Sequence, residues 1–305
     1  MKKRSDMECC MLCPRSCGVN RVIGQRGRCG MDAHMRIARA ALHMWEEPCI
    51  SGEEGSGTVF FAGCALGCVF CQNYEIAHVS PERFRAVSVE ELADIFLRLQ
   101  EQKANNINLV TAGQFLPQAA EAIEMAKNHG LRIPIVYNSS GYENVEALRR
   151  LEGLVDIYLP DMKYWKPETG QAYSRAADYP EVAKKAIAEM VRQAGTAVFD
   201  ERGIMQKGVI VRHLLLPGHL LEAKKIVRYL YECYENGIYI SLMSQYTPLE
   251  QVGEDPLLGR RVTKREYEKL LDFAIALGVE NAFYQEGDVA KESFIPPFED
   301  AGVIL

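Results

Sequence analysis

Three cysteines stand close together in the run Gly63-Cys64-Ala65-Leu66-Gly67-Cys68-Val69-Phe70-Cys71-Gln72-Asn73. Thiolates are soft ligands that suit zinc and iron–sulfur centres. The C-x3-C-x2-C spacing lets three sulfurs of one short loop converge, and Gly63 and Gly67 supply the backbone freedom for the turn. A closed zinc site or an electron-transfer [4Fe–4S] cluster takes four protein ligands. Three leave one coordination position for a substrate or cofactor. The alternative is three neighbouring buried thiols, because cysteine also serves as a small hydrophobe.

A second group lies upstream. Cys10-x2-Cys13-x3-Cys17-x11-Cys29 places four thiols within twenty residues. That set suits zinc or an auxiliary iron–sulfur cluster, and spacing does not choose between them. Arg15, Arg21, Arg26 and Arg28 surround it, either to stabilise thiolates or to dock an acidic partner. Cys9 adjoins Cys10 and is able to replace it. Gly24-x2-Gly27-x2-Gly30 is no dinucleotide fingerprint, because no strand precedes it. Cys49 and Cys233 read as packing residues; Cys233 continues the helical stripe of Ile226 and Leu230. Trp45 reads as packing too.

Nine of ten cysteines fall in the first 71 of 305 residues. A disulfide-stapled domain would be shorter and would spread its cysteines, and this chain is long enough to bury a core without staples. The start has basic residues but no apolar signal-peptide core, and no apolar run is long enough to span a bilayer. The expectation is a cytoplasmic protein with no membrane partner. With 35 basic and 41 acidic residues the net charge is −6, which argues against a general nucleic-acid binder.

The elements that must position these thiols begin near residue 58. Thr58–Ala62 reads as a strand, so the three-cysteine loop follows a strand end, where α/β folds place their chemistry. Ser88 and Glu91 form a capping box, and Leu92, Ile95, Phe96 and Leu99 make one helical face. Strands at 108–112, 133–137, 155–159, 209–216, 239–243 and 282–285 alternate with helices at 117–130, 143–151, 181–194, 220–235 and 264–277. Six strand–helix units and a seventh strand require parallel pairing with right-handed crossovers. The expected fold is α/β, a partial (β/α)6 TIM-like barrel, with an open doubly wound sheet as the rival. Residues 1–57 form a cysteine-rich extension and lead-in, which includes an irregular stretch or short hairpin at 36–57. Residues 58–305 form the barrel.

The three-cysteine motif, with an aromatic residue before its last cysteine, resembles the radical S-adenosylmethionine (radical SAM) superfamily. A closer resemblance is to pyruvate formate-lyase-activating-enzyme-like proteins. It rests on Cys10 to Cys29, Trp45-Glu46-Glu47-Pro48, Cys64 to Asn73, Asn138-Ser139-Ser140-Gly141-Tyr142, Asp161-Met162-Lys163-Tyr164, Arg212-His213-Leu214-Leu215-Leu216-Pro217-Gly218 and Met243-Ser244-Gln245-Tyr246-Thr247-Pro248. The resemblance implies a [4Fe–4S] cluster on Cys64, Cys68 and Cys71, with S-adenosylmethionine on the fourth iron. Reductive cleavage would give a 5′-deoxyadenosyl radical that abstracts hydrogen from a protein or peptide, as in activation of a glycyl-radical enzyme. Modification of a small molecule or maturation of another protein is the alternative. A non-catalytic zinc or iron–sulfur interaction protein is a third reading. A flavodoxin or ferredoxin is the implied electron donor.

The resemblance also suggests cofactor contacts. Gln114 stands where a carboxylate commonly binds the methionine amino group. Asn138 and Ser140 end the third strand, and Asp161 and Lys163 the fourth; Lys163 is expected to pair with the methionine carboxylate. His213 is a further candidate, although it and Arg212 must face opposite sides of their strand. Gln245, Tyr246 and Glu286 are expected to shape a substrate pocket.

Overall fold

The computed structural model describes residues 6–78 and 80–285. Its sheet is built around seven parallel strands: β2 (Ser56–Phe61), β4 (Ile107–Val110), β5 (Ile135–Ser139), β6 (Ile157–Pro160), β8 (Met205–Leu214), β9 (Tyr239–Met243) and β10 (Ala282–Tyr284). They pair in that order with no reversal. A doubly wound sheet reverses its order at a switch point. This sheet is therefore singly wound, as in a partial barrel. Its end strands are β10 and β3 (Arg85–Ala86), so the described sheet is open.

Residues placed in the lead-in join the sheet. β1 (Arg36–His43) pairs antiparallel with β2, and α1 (Pro48–Ser51) lies between them. The expected boundary at 57/58 thus falls inside β2. Two further short elements, β3 against β1 and β7 (Val198–Phe199) against β8, were not legible in the hydrophobic pattern.

The crossovers carry α2 (Tyr74–Ala77), α3 (Val89–Glu101), α4 (Leu116–Asn128), α5 (Val145–Leu148), α6 (Pro167–Ser174), α7 (Tyr179–Ala194), α8 (Leu220–Tyr234) and α9 (Lys264–Leu277). The expected capping box of Ser88 with Glu91 forms, and a second joins Thr263 with Glu266 at the start of α9. Among the described residues no helix is long and apolar enough to cross a membrane.

Strand parity divides the interior. Tyr137, Tyr158, Val209 and Val211 face the helices and join the main core. Their alternates Val136, Ile157, Leu159 and Ile210 face inward, where Cys49 and Ile50 of α1 plug the space between them. Continuing the inward parity by two residues reaches Asn138, Asp161 and Arg212. The barrel interior is therefore apolar below and charged at the carboxyl end of the strands.

Packing outweighs capping in holding the helices. Leu92, Ile95, Phe96 and Leu99 of α3 are fully buried, each worth roughly 1.5–3 kcal/mol, against about 1 kcal/mol for a cap. Ser88→Ala is expected to lower stability by about 1 kcal/mol, and Leu92→Ala by about 2–5 kcal/mol. Urea denaturation checks the ranking; an equal loss from both would contradict it.

Candidate active site

Cys64, Cys68 and Cys71 follow β2 and all three line a cavity of about 350 Å³ at the carboxyl end of the sheet. Local packing shapes the loop. Gly63 has φ +80°, and a Cβ there would sit 2.5 Å from the Cys29 carbonyl oxygen, so no larger residue fits. Phe70 meets Tyr164, Tyr173 and Tyr246 edge-on at 6.1–6.2 Å between ring centroids. This aromatic box anchors the last turn of the motif. The Ser174 hydroxyl donates to Cys68 Sγ at 3.1 Å.

Burial pushes the Cys64 thiol up to about 11, and burial together with the other two sulfurs raises Cys71 further. Both shifts favour the neutral thiol over the thiolate at Cys64 and Cys71. A cationic metal centre is what converts such buried thiols to thiolates. Among the described residues no three Cys, His, Asp or Glu side chains converge tightly enough for a single metal ion.

The opposite wall is ionic. Arg212 donates to Asp161 Oδ1 at 3.0 Å, to Glu46 Oε2 at 3.3 Å and to Asn138 Oδ1 at 2.6 Å. Lys163 Nζ donates to Asp161 Oδ2 at 2.6 Å. Burial alone would raise Asp161, but Arg212 and Lys163 outweigh it and hold its carboxyl below the usual range. Burial would lower Lys163; Asp161 and the Cys68 and Cys71 sulfurs keep it raised. Glu46 and Glu47 are raised by burial, only partly offset by Arg212. Glu47 Oε2 is buried in this wall and has no hydrogen-bond partner.

The expected site residues divide. Asn138, Ser140, Asp161, Lys163 and Gln245 line the cavity. Gln114 does not: its amide donates to the carbonyls of Ala62, Gly63 and Thr111 at 2.8–3.0 Å, tying the end of β4 to the cysteine loop. Thr111 takes the lining position. His213 has the outward parity and is buried against the Met162 carbonyl at 2.7 Å. Arg212, its neighbour, faces the cavity instead. Tyr246 is buried in the aromatic box and donates to the Leu258 carbonyl at 2.6 Å. Glu286 lies outside the described residues.

Three sequence readings are corrected or extended. Cys233 is exposed, not core. Trp45, read as packing, is 59% exposed on the cavity rim. Glu46 and Glu47 are cavity residues that the reading passed over, and no periodic signal marks them because they precede the first parallel strand.

The radical SAM superfamily model matches residues 58–230, more than half the chain. This chain belongs to the radical SAM superfamily. It is 31% identical over 271 residues to an uncharacterized protein of Methanocaldococcus jannaschii, covering 87% of this chain and 74% of that one. Two solved structures are distantly similar. One is a domain of pyruvate-formate lyase-activating enzyme from Bacteroides vulgatus, with 12% identity, TM-score 0.42, and 56% and 92% of the two chains covered. The other is the FeFe-hydrogenase maturase HydG from Carboxydothermus hydrogenoformans, with 16% identity, TM-score 0.42, and 77% and 58% covered. Membership implies a [4Fe–4S] cluster and S-adenosylmethionine. The donor set fits them: three soft thiols of one loop share a cavity with hydrogen-bonding and charged groups able to hold an amino acid.

Two predictions follow from the wall and its neighbour. Removing one member of a buried ion network leaves its partners uncompensated, at a cost of about 3–5 kcal/mol. Arg212→Ala is expected to lose that much in a denaturation experiment, and Arg212→Lys to recover only part, because an ammonium lacks the planar fork. His213 is lowered by burial from 6.5 to about 4, and its Nε2 has no partner to accept a proton. The stability it contributes is present above about 6.5 and lost as pH falls towards 4. His213→Gln is expected to flatten that part of the stability–pH curve; an unchanged slope would refute the assignment.

Proposed function

We propose that Cys64, Cys68 and Cys71 ligate the [4Fe–4S] cluster, that S-adenosylmethionine occupies the adjoining cavity, and that the substrate is a protein or peptide. When bound, the cluster would pass on an electron received from an external donor, which would split S-adenosylmethionine into methionine and a deoxyadenosyl fragment able to take a hydrogen atom from the substrate. The observation that carries this reading is that the three thiols and the Asp161–Lys163–Arg212 group line one cavity.

The charges support it. Three acids, Glu46, Glu47 and Asp161, line the cavity with two cations, Lys163 and Arg212; burial raises Glu46 and Glu47, so a cationic ligand would favour their ionised forms. S-Adenosylmethionine brings a sulfonium, an ammonium and one carboxylate, and so carries net positive charge. Lys163 would pair with the carboxylate and is held in place by Asp161. Glu47 Oε2, without a partner, is suited to accept from the ammonium. Asn138 and Ser140 would complete the polar contacts. Gln114 acts as a positioning residue for the loop.

Trp45 and Tyr284, 59% and 57% exposed, flank the cavity and favour a bulky substrate with apolar side chains. A glycyl-radical enzyme is one such substrate. A flavodoxin or ferredoxin in the cytoplasm would supply the electron.

The test is anaerobic reconstitution with iron and sulfide, then reduction in the presence of S-adenosylmethionine. Release of 5′-deoxyadenosine is expected from the wild type and from Cys233→Ala, and at least 100-fold less from Cys71→Ala, a loss of about 2.7 kcal/mol or more. No release from a fully loaded, reduced wild-type sample would overturn the reading.

A further inference from the structure

We propose that residues 6–35 form a metal-organised module in which Cys10, Cys13, Cys17 and Cys29 hold a second metal centre against the back of the Cys64–Cys71 loop. The ligand chemistry is a tetrathiolate, which takes either an iron–sulfur cluster or a zinc ion.

The backbone brings the four thiols together. Cys10 N donates to Val19 O at 3.0 Å and Gly18 N donates to Cys10 O at 2.9 Å, closing a loop that contains Cys13 and Cys17. Ser16 N donates to Cys13 O at 3.0 Å at its tip, and Gly30 N to Gly27 O at 3.0 Å closes the turn that presents Cys29. A Cβ on Gly27 would lie 3.3 Å from Cys17 Sγ and 3.9 Å from Cys29 Sγ. Cys29 is within electrostatic range of Cys10 and Cys17, and Cys13 within range of Cys17 and Cys29. The sulfurs do not converge on a single point, and neither do those of Cys64, Cys68 and Cys71; ligation at both groups requires rotation about Cα–Cβ.

Two independent features call for an anion there. Arg21 is 1% exposed; its guanidinium lies over the Phe115 ring at 5.2 Å, donates to the carbonyls of Asp32 and Gln114 and, at 3.9 Å, to Cys10 Sγ. Among the described residues no carboxylate is within salt-bridge reach of it. A buried charge without a counter-ion is costly, and a tetrathiolate around a dication carries two negative charges. In addition, the Arg28 amide donates to Cys17 Sγ at 3.3 Å, the contact that moderates metal-bound thiolates.

The module has no regular secondary structure of its own, although hydrogen bonds from Gln118 to the Ala33 carbonyl and from Asn144 to the Met11 carbonyl tie it to the barrel. Residues 6–35 contain turns and bends only. Their own small core is Met7, Cys10 and Leu12, with Val19 and Ala33 beside them, while Met31 and Met35 pack into the main core. Segments this small are stable only with a staple. They nevertheless brace the first thiol loop: Arg15 donates to the carbonyls of Ala65 at 3.0 Å and Leu66 at 3.2 Å.

The test is metal and acid-labile sulfide content of full-length protein, purified and reconstituted without oxygen. In the variant Cys64→Ser, Cys68→Ser, Cys71→Ser the first centre is removed, so any stoichiometric metal left belongs to the second. Iron with matching sulfide would identify a cluster, and zinc without sulfide a single ion; either supports the proposal. No metal in this variant overturns it. The variant Cys17→Ser, Cys29→Ser is expected to lose that same metal while Cys9→Ser keeps it. If the Cys17/Cys29 variant folds and holds as much metal as wild type, the proposal fails. If it does not fold, the count in the first variant decides.

Discussion

Arg212 touches groups delivered by three separate parts of the chain. Glu46 comes from the lead-in, Asn138 from the end of β5 and Asp161 from the end of β6. Burying a guanidinium is costly unless its donors are met and its charge is neutralised. The carboxyl end of the sheet is therefore constrained: these strand ends must close around Arg212 in one arrangement. Lys163 depends on the same arrangement, because Asp161 is bound to both cations. Gly141 belongs to it as well. Its φ is +73°, and a Cβ would come within 2.2 Å of the Asp161 carbonyl oxygen, so the β5 and β6 ends approach at a distance only glycine allows.

The cysteine loop is held from the other side by different means. Gln114 donates to the carbonyls of Ala62 and Gly63, just ahead of Cys64. Arg15 holds Ala65 and Leu66, between Cys64 and Cys68. The Phe70 box fixes the final turn. All three restraints act on backbone or ring rather than on the sulfurs, of which Cys68 Sγ accepts separately from Ser174. That division suits a loop whose thiols must accept a large cofactor without carrying the loop's own conformational cost.

How much of this was legible in the sequence depends on the kind of signal. Capping boxes and apolar stripes are local, and α3 and α9 begin at the residues that Ser88 and Thr263 mark. Parallel pairing followed from seven strands separated by helical crossovers, while the choice of a singly over a doubly wound sheet came from the observed strand order. β1 was less visible because it is an edge-side antiparallel strand, RIARAALH, with arginines interrupting its pattern. For the site, type and spacing singled out the cysteine loop, and the family resemblance pointed to Asp161 and Lys163, both of which line the cavity. Neither could separate Arg212 from His213. The apolar residues could have: Ile210 shares parity with Arg212 and faces inward, whereas Val209 and Val211 share parity with His213 and face the helices. Gln114 failed for another reason, since a side-chain amide near a strand end satisfies local carbonyls as readily as it meets a ligand.

Two arginines solve opposite problems in this molecule. Arg212 and Lys163 share three carboxyls, and the one with an unpartnered oxygen, Glu47, faces the cavity and is pushed up by burial. A cationic ligand would favour its ionised form. Arg21 is buried with too little negative charge around it, and the nearest side chain able to carry one is a cysteine. An anionic centre relieves it. The two sites thus favour ligands of opposite sign. Under the two proposals made above, the fold would be complete only when loaded: the barrel face would take a positive cofactor, and the cysteine module behind it a metal that turns its thiols negative.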